Sequence, residues 1–279
     1  MKNNLNQLVR PIRSHLLYAL ALLLTSTVAG SLVSQEVPAQ DNPHPVRAVF
    51  MIGEMEYNTS STLPEFARKS LIPQGIDCTF VHVNDNDPND FPGLNGALEP
   101  ADVLILSVRR RTPPTHQMEA IRNFIARGGG VVGIRTASHA FGREPASDNH
   151  QSWDEFDRHV FAMDYEGHYG NKPPEDPPSE IQISPFWKHH PILANLKSDS
   201  FTSSSHLYKN RRPGDGVSIL LTGSIKNKTP AILEPVAWTS PSCPGRVFYT
   251  SLGNPDDFLN PDFTQLLVNA VIWAAEGAP

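Results

Sequence analysis

GGGVVGIRTASHAF, residues 128–141, sets three glycines and a short apolar strand, Val131–Ile134, against an abrupt run of polar residues: Arg135, Thr136, Ser138 and His139. A buried parallel strand that ends in a tight turn into a helix is where doubly wound sheets place their ligands, because strand ends and free helix N–H groups converge there. Arg135 and His139 are therefore the first candidates for chemistry.

Upstream, the pattern alternates strand and helix. Val46–Ile52 is an apolar strand, and Ser60–Leu71 carries Leu63, Phe66, Ala67 and Leu71 at helical spacing. Ile76–Val83 is a second strand, followed by the loop NDNDPNDFPG, residues 84–93. That loop lacks the spaced ligands and closing Glu of an EF-hand, so Asx turns explain it better than calcium. Asp102–Val108, DVLILSV, reads as a strand buried on both faces. A helix from Thr115 to Arg127 follows, with Met118, Ile121 and Ile125 on one face, and the three glycines stop it. Parallel strands joined by helical crossovers predict an α/β, flavodoxin-like doubly wound sheet, mostly parallel.

Residues 143–180 break the rhythm. They are polar and Pro-rich, with a short helix predicted around Ser152–Phe161 and three histidines, His150, His159 and His168. An insertion directly after the elbow is placed to fold over it as a lid. Ile181–Ile183, Ser200–Leu207 and Val217–Leu221 read as a small peripheral sheet. Glu234–Trp238 and Arg246–Ser251 form a hairpin, and Asp262–Ala275 is a closing amphipathic helix.

The N-terminus has a different character. Lys2, Arg10 and Arg13 precede an apolar run from Leu16 to about Val33 with small residues behind it, the pattern of a secretory signal over residues 1–34. A retained anchor is the alternative, since the run approaches spanning length. Residues 35–45 form a linker, and 46–279 form one domain. Loss of the three basic residues with the signal takes the formal charge from −6 to −9. Such an acidic surface argues against a nucleic-acid partner. Export to a periplasmic or extracellular space follows, without stable membrane insertion after cleavage. Cys78 and Cys243 would share that oxidising compartment; they either pair or stand apart, with Cys78 a core residue.

GGGVVGIRTASHAF, EGHYGNK, HPIL, PVAWT, GRVFYTSLGNPDDF and FTQLLVNAVIWA, taken in order, resemble the ThuA-like family named for trehalose utilisation. The resemblance covers essentially all of 46–276. It implies a class I glutamine amidotransferase-like fold and a small carbohydrate as partner. Where an amidotransferase elbow carries its nucleophilic cysteine, this chain has Arg135, and an arginine cannot replace a thiolate. The resemblance implies a histidine at the position where this chain has Asn254. Glutaminase chemistry is not expected.

The candidate catalytic groups are His139, His168 and Asp256. His139 is placed in the first turn of the elbow helix, where the imidazole stays neutral, although packing within the elbow is the plainer role. His168, in the glycine-bracketed GHYG turn, is the lid group expected to meet it. Asp256 follows the last strand and is a candidate acid or base, helix capping being the alternative. The candidate substrate ligands are Arg135, Arg110, Tyr169, His206, Asn254 and Asp257. Arg135 is expected to hold a substrate oxygen or a carboxylate of the Asp256–Asp257 pair, since a buried arginine needs a partner. Spacing of His139, His168 and His206 does not by itself support a metal site, zinc or a similar ion is the alternative reading, and the sequence leaves the cofactor unknown. The expected function is carbohydrate utilisation on a trehalose-like or keto-disaccharide by acid/base chemistry; the rivals are a non-catalytic sugar-binding module and an envelope scaffold.

Overall fold

A computed structural model describes residues 44–142, 147–226, 228 and 230–277, so the signal segment and nearly all of the linker lie outside the described residues. Its strands, in chain order, are β1 (Arg47–Gly53), β2 (Asp77–His82), β3 (Val103–Val108), β4 (Gly130–Ile134), β5 (Asp164–His168), β6 (Ser179–Ile183), β7 (Ser200–Ser203), β8 (Tyr208–Arg211), β9 (Ser218–Ile225), β10 (Glu234–Ser240) and β11 (Val247–Thr250). The helices are α1 (Thr59–Phe66), α2 (Leu94–Leu98), α3 (Thr115–Ala126) and α4 (Pro261–Ala275). Nine strands form one sheet in the order β2-β1-β3-β4-β11-β10-β9-β6-β7. The first five are parallel, and the rest add antiparallel strands.

Alternation along the strands divides the core between the two faces of this sheet. Phe50, Ile52, Ile105, Val132 and Phe248 pack with Leu63 and Phe66 of α1 and Leu266, Leu267 and Val271 of α4. Their neighbours in sequence, Val49, Met51, Leu104, Leu106 and Val131, pack with Met118, Ile121 and Phe124 of α3. Helices on both faces make the sheet doubly wound, as the apolar runs predict. Cys78 packs on the first face and Cys243 on the second, and both thiols are free. Burial pushes both up to about 11, so neither is a ready thiolate.

The glycines do more than end α3. Gly128 takes φ +93°, and Gly130 lies so close to α4 that a Cβ there would stand 2.4 Å from the Ala274 carbonyl oxygen. Gly130→Ala is therefore expected to lower unfolding stability by about 1–2 kcal/mol in a urea titration, the cost of forcing α4 outward.

Four sequence expectations change. The supposed peripheral strands β6, β7 and β9 extend the main sheet, and the separate small sheet is instead the antiparallel pair β5–β8. Ser200–Leu207 is not one strand: β7 ends at Ser203, and His206 lies in the link to β8. The helix expected over 152–161 contracts to a single wide turn, Asp157–Phe161. The elbow opens no long helix, only the five-residue 3₁₀ turn Arg135–His139. Hydrogen bonds pull the chain straight back to the sheet edge: the N–H groups of Arg110 and Arg111 donate to the carbonyls of His139 and Ala140. No helix among the described residues is long and apolar enough to cross a membrane.

Candidate active site

Register assembles the site. Gly53 of β1 pairs with Val108 of β3, and Ile134 of β4 with Thr250 of β11, so four strands end level with one another. The segments that leave them, Glu54–Tyr57, Arg109–Arg111, Arg135–His139 and Ser251–Asp257, therefore meet at one edge. The switch in strand order between β1 and β3 falls there too, the usual place for a ligand crevice.

Arg135 turns the corner with φ +47°, a left-handed conformation uncommon for a side chain of that size. The Tyr249 hydroxyl donates to its carbonyl at 2.7 Å and holds the turn. The Arg135 side chain is 1% exposed, with its guanidinium 4.1 Å from the Tyr57 ring centre and 4.8 Å from that of Tyr208. Nη1 donates to the Ser251 carbonyl at 2.8 Å, whereas Nε and Nη2 have no hydrogen-bond partner. Burial opposes this charge, but Tyr208, Tyr57 and Asp257 outweigh it and keep the guanidinium pKa raised. Tyr57 owes its position to Glu54, a buried carboxylate that accepts the N–H groups of Glu56, Tyr57 and Thr59.

Imidazoles and phenols line the space beyond. His139 stacks on Tyr165 with ring centres 4.3 Å apart and planes 15° from parallel. Tyr208 lies 4.7 Å from Tyr165, 6.1 Å from His139 and 6.3 Å from His168. His168 and His206 are 5.1 Å apart. Burial first, and the Arg135 charge second, lower the pKa of both His168 and His206, so both imidazoles are neutral at pH 7. Ser138 Oγ sits 3.1 Å from His139 Nδ1, beside a cleft of about 310 Å³ bounded by Gly142, Asp154, Asp157 and Tyr165.

The insertion thus delivers Tyr165 and His168, but from strand β5 rather than from a turn. His139, His168, His206 and Arg135 come together around Tyr208. His139 closes the elbow turn instead of opening a helix, so the dipole argument for its neutrality does not apply. Tyr169 points the other way, as the next residue along an extended chain must. Its hydroxyl donates to buried Glu234 at 2.6 Å and accepts from Arg211 Nη2 at 3.0 Å.

The Asp256–Asp257 pair divides. Asp257 is buried and accepts from the Ser203 and Ser205 hydroxyls and the N–H groups of Gly253 and Asn254. It makes no ion pair with Arg135 among the described residues, contrary to one of the expectations for that arginine. Asp256 is exposed and accepts from Ser204 Oγ at 3.2 Å, and the Asn254 amide donates to the same serine. Of the three arginines after β3, Arg109 pairs with Glu56 at 2.8 Å and Arg111 Nε donates to the Gly53 carbonyl. Arg110 is held through its own N–H to His139 and is exposed. Among the described residues no group of three His, Cys, Asp or Glu side chains is arranged to hold a metal.

Tyr57, Tyr165, Tyr208 and Glu54 are the site residues that sequence reasoning missed. The signal for Tyr57 and Glu54 was available: GEMEYN directly follows a buried parallel strand. Tyr165 carried none, because a register irregularity between Tyr165 and His168 brings both to the site despite their odd spacing.

A doubly wound domain whose elbow carries an arginine in place of the nucleophile is a class I glutamine amidotransferase-like domain without its thiol. The chain belongs to the ThuA family, described as trehalose utilisation, whose sequence model matches residues 49–274. Among solved structures it is similar to ThuA-like proteins from Bacteroides uniformis (TM-score 0.61, 20% identity, 85% of this chain and 94% of that one) and Parabacteroides merdae (0.60, 19%, 84% and 91%). It is also similar in fold to part of a carbohydrate deacetylase (0.54, 10%, 84% of this chain and 33% of that one). No curated protein gives a significant match.

Proposed function

We propose that this ThuA-family protein is exported and takes a trehalose-like or keto-disaccharide into the crevice at the sheet edge, where its imidazoles move protons on the sugar. The observation that carries this reading is the layer of flat rings and imidazoles, His139 on Tyr165, with Tyr208, His168 and His206 beside it. Ring faces suit the apolar face of a sugar, and imidazole nitrogens suit its hydroxyls. His168 is the base that accepts a hydroxyl proton, His139 the group across Tyr208 that returns one, and Arg135 orients an oxygen. Asp256, exposed and bonded to Ser204, is a weaker third candidate. A non-catalytic sugar-binding module is the second reading, favoured by the absence of a nucleophile at the elbow.

Calorimetric titration with trehalose and with 3-keto-disaccharides separates them. Turnover gives a heat flow that stays displaced after each injection, and His168→Ala is expected to remove it. Heats that saturate and return to baseline favour the module. If turnover occurs, its pH profile follows from the lowered imidazole pKa values. The bases stay neutral through pH 7, and the rate falls only as pH drops below the ordinary imidazole value of about 6.5. A rate that instead rose on acidification would remove His168 as the base.

A further inference from the structure

All three buried side-chain polar atoms without partners among the described residues belong to two consecutive residues at the elbow: Arg135 Nε, Arg135 Nη2 and Thr136 Oγ1. Buried polar groups are otherwise satisfied, and an unpaired charged donor is the most costly to leave so. Three orphans on adjacent residues at the ligand edge of the sheet mark a site built for a group that is not protein.

Which nitrogens are orphaned identifies the group. The guanidinium carbon stands over the Tyr57 and Tyr208 rings, the Tyr57 hydroxyl also supports its charge, and Nη1 is engaged by the Ser251 carbonyl. What remains is the Nε–Nη2 edge, two parallel N–H donors that match the two oxygens of a carboxylate. No protein carboxylate fills that role among the described residues. Asp257 has both oxygens engaged by four donors, Glu54 is held by its own loop, and Glu56 is paired with Arg109. After burial, the Arg135 charge is the next cause that depresses protonation of His168 and His206.

We infer that the Nε–Nη2 edge of Arg135 binds a carboxylate, so that the ligand of this site is a sugar acid rather than a neutral disaccharide. The ligand arrives from the Tyr57 side, since Tyr57 is only half-buried whereas Tyr208 is 2% exposed. The carboxylate lies flat against the guanidinium edge, and the sugar ring extends toward Tyr208, His168 and His206. This inference rests on the carbohydrate reading and specifies its substrate class.

The test is calorimetric titration of the full-length protein with sodium glucuronate, with its uncharged isostere glucuronamide, and with trehalose. Glucuronate is expected to bind at least tenfold more tightly than glucuronamide. Arg135→Lys, which keeps the charge but not the two-pronged edge, is expected to remove that preference, its fold being checked by thermal melting. Equal affinity for glucuronate and glucuronamide, or a preference that survives in Arg135→Lys, overturns the inference. If Arg135→Lys fails to fold, the acid-against-amide comparison in the unaltered protein decides alone. Binding of trehalose without binding of glucuronate defeats the carboxylate and leaves the carbohydrate reading standing; no binding of any of the three defeats both.

Discussion

Asp257→Ala is expected to destabilise the protein by about 3–5 kcal/mol, the range for removing one partner from a buried charged network. The carboxylate is 4% exposed and gathers four donors from two segments that are distant in sequence. Ser203 ends β7 and Ser205 lies in the link after it, and Gly253 and Asn254 come from the turn after β11. Alanine leaves two backbone N–H groups and two hydroxyls facing one another, and each buried donor left unsatisfied costs about 1–3 kcal/mol. The hydroxyls can rotate toward other acceptors and the Asn254 N–H keeps the Ser205 hydroxyl as a second acceptor at 3.3 Å, so most of the loss comes from the Gly253 N–H. Asp257→Asn keeps one oxygen and is expected to lose about half as much. Urea titrations of both variants against the unaltered protein check the ordering. A loss under about 1 kcal/mol for the alanine variant would mean that water replaces the carboxylate and that the two segments do not depend on it.

The same residue shows where sequence reasoning stops. The chain order at β11, a strand followed by Asn-Pro-Asp-Asp, correctly brought Asp256 and Asp257 to the elbow. It could not say which aspartate turns inward, because that depends on hydroxyls 52 and 54 residues away. The fold was legible because its signals are local: DVLILSV is apolar throughout, and the apolar faces of α3 and α4 repeat at helical spacing. The site was legible only in part. His139 and Arg135 follow directly from the end of β4, whereas Tyr165 and Tyr208 meet through pairing of β5 with β8 across more than forty residues. Tyr169 was misplaced by a single residue of alternation, since His168 and Tyr169 look equally polar and flanked by glycine in the sequence but face opposite ways in an extended chain.

Arg135→Met is expected to leave the unfolding free energy within about 1 kcal/mol of that of the unaltered protein, while removing ligand binding. Two donors of a buried cation are unmade, and desolvation of an ion costs several kcal/mol that Nη1 and the Ser251 carbonyl recover only in part. The Tyr57 and Tyr208 faces return some of it through cation–π attraction, up to about 2 kcal/mol per contact. A methionine of similar length fills the same slot and keeps favourable contact of its sulfur with both rings. It leaves the Ser251 carbonyl without its donor, at about 1 kcal/mol, and leaves the φ +47° turn as strained as before. These costs and returns nearly cancel, which is the pattern expected when a protein keeps a charge for its ligand rather than for its fold. Thermal and urea unfolding of Arg135→Met measure it directly. A variant less stable by more than about 2 kcal/mol would show that the ring contacts and the single hydrogen bond outweigh the buried charge. Arg135 would then be a structural pin of the elbow, with its free edge incidental.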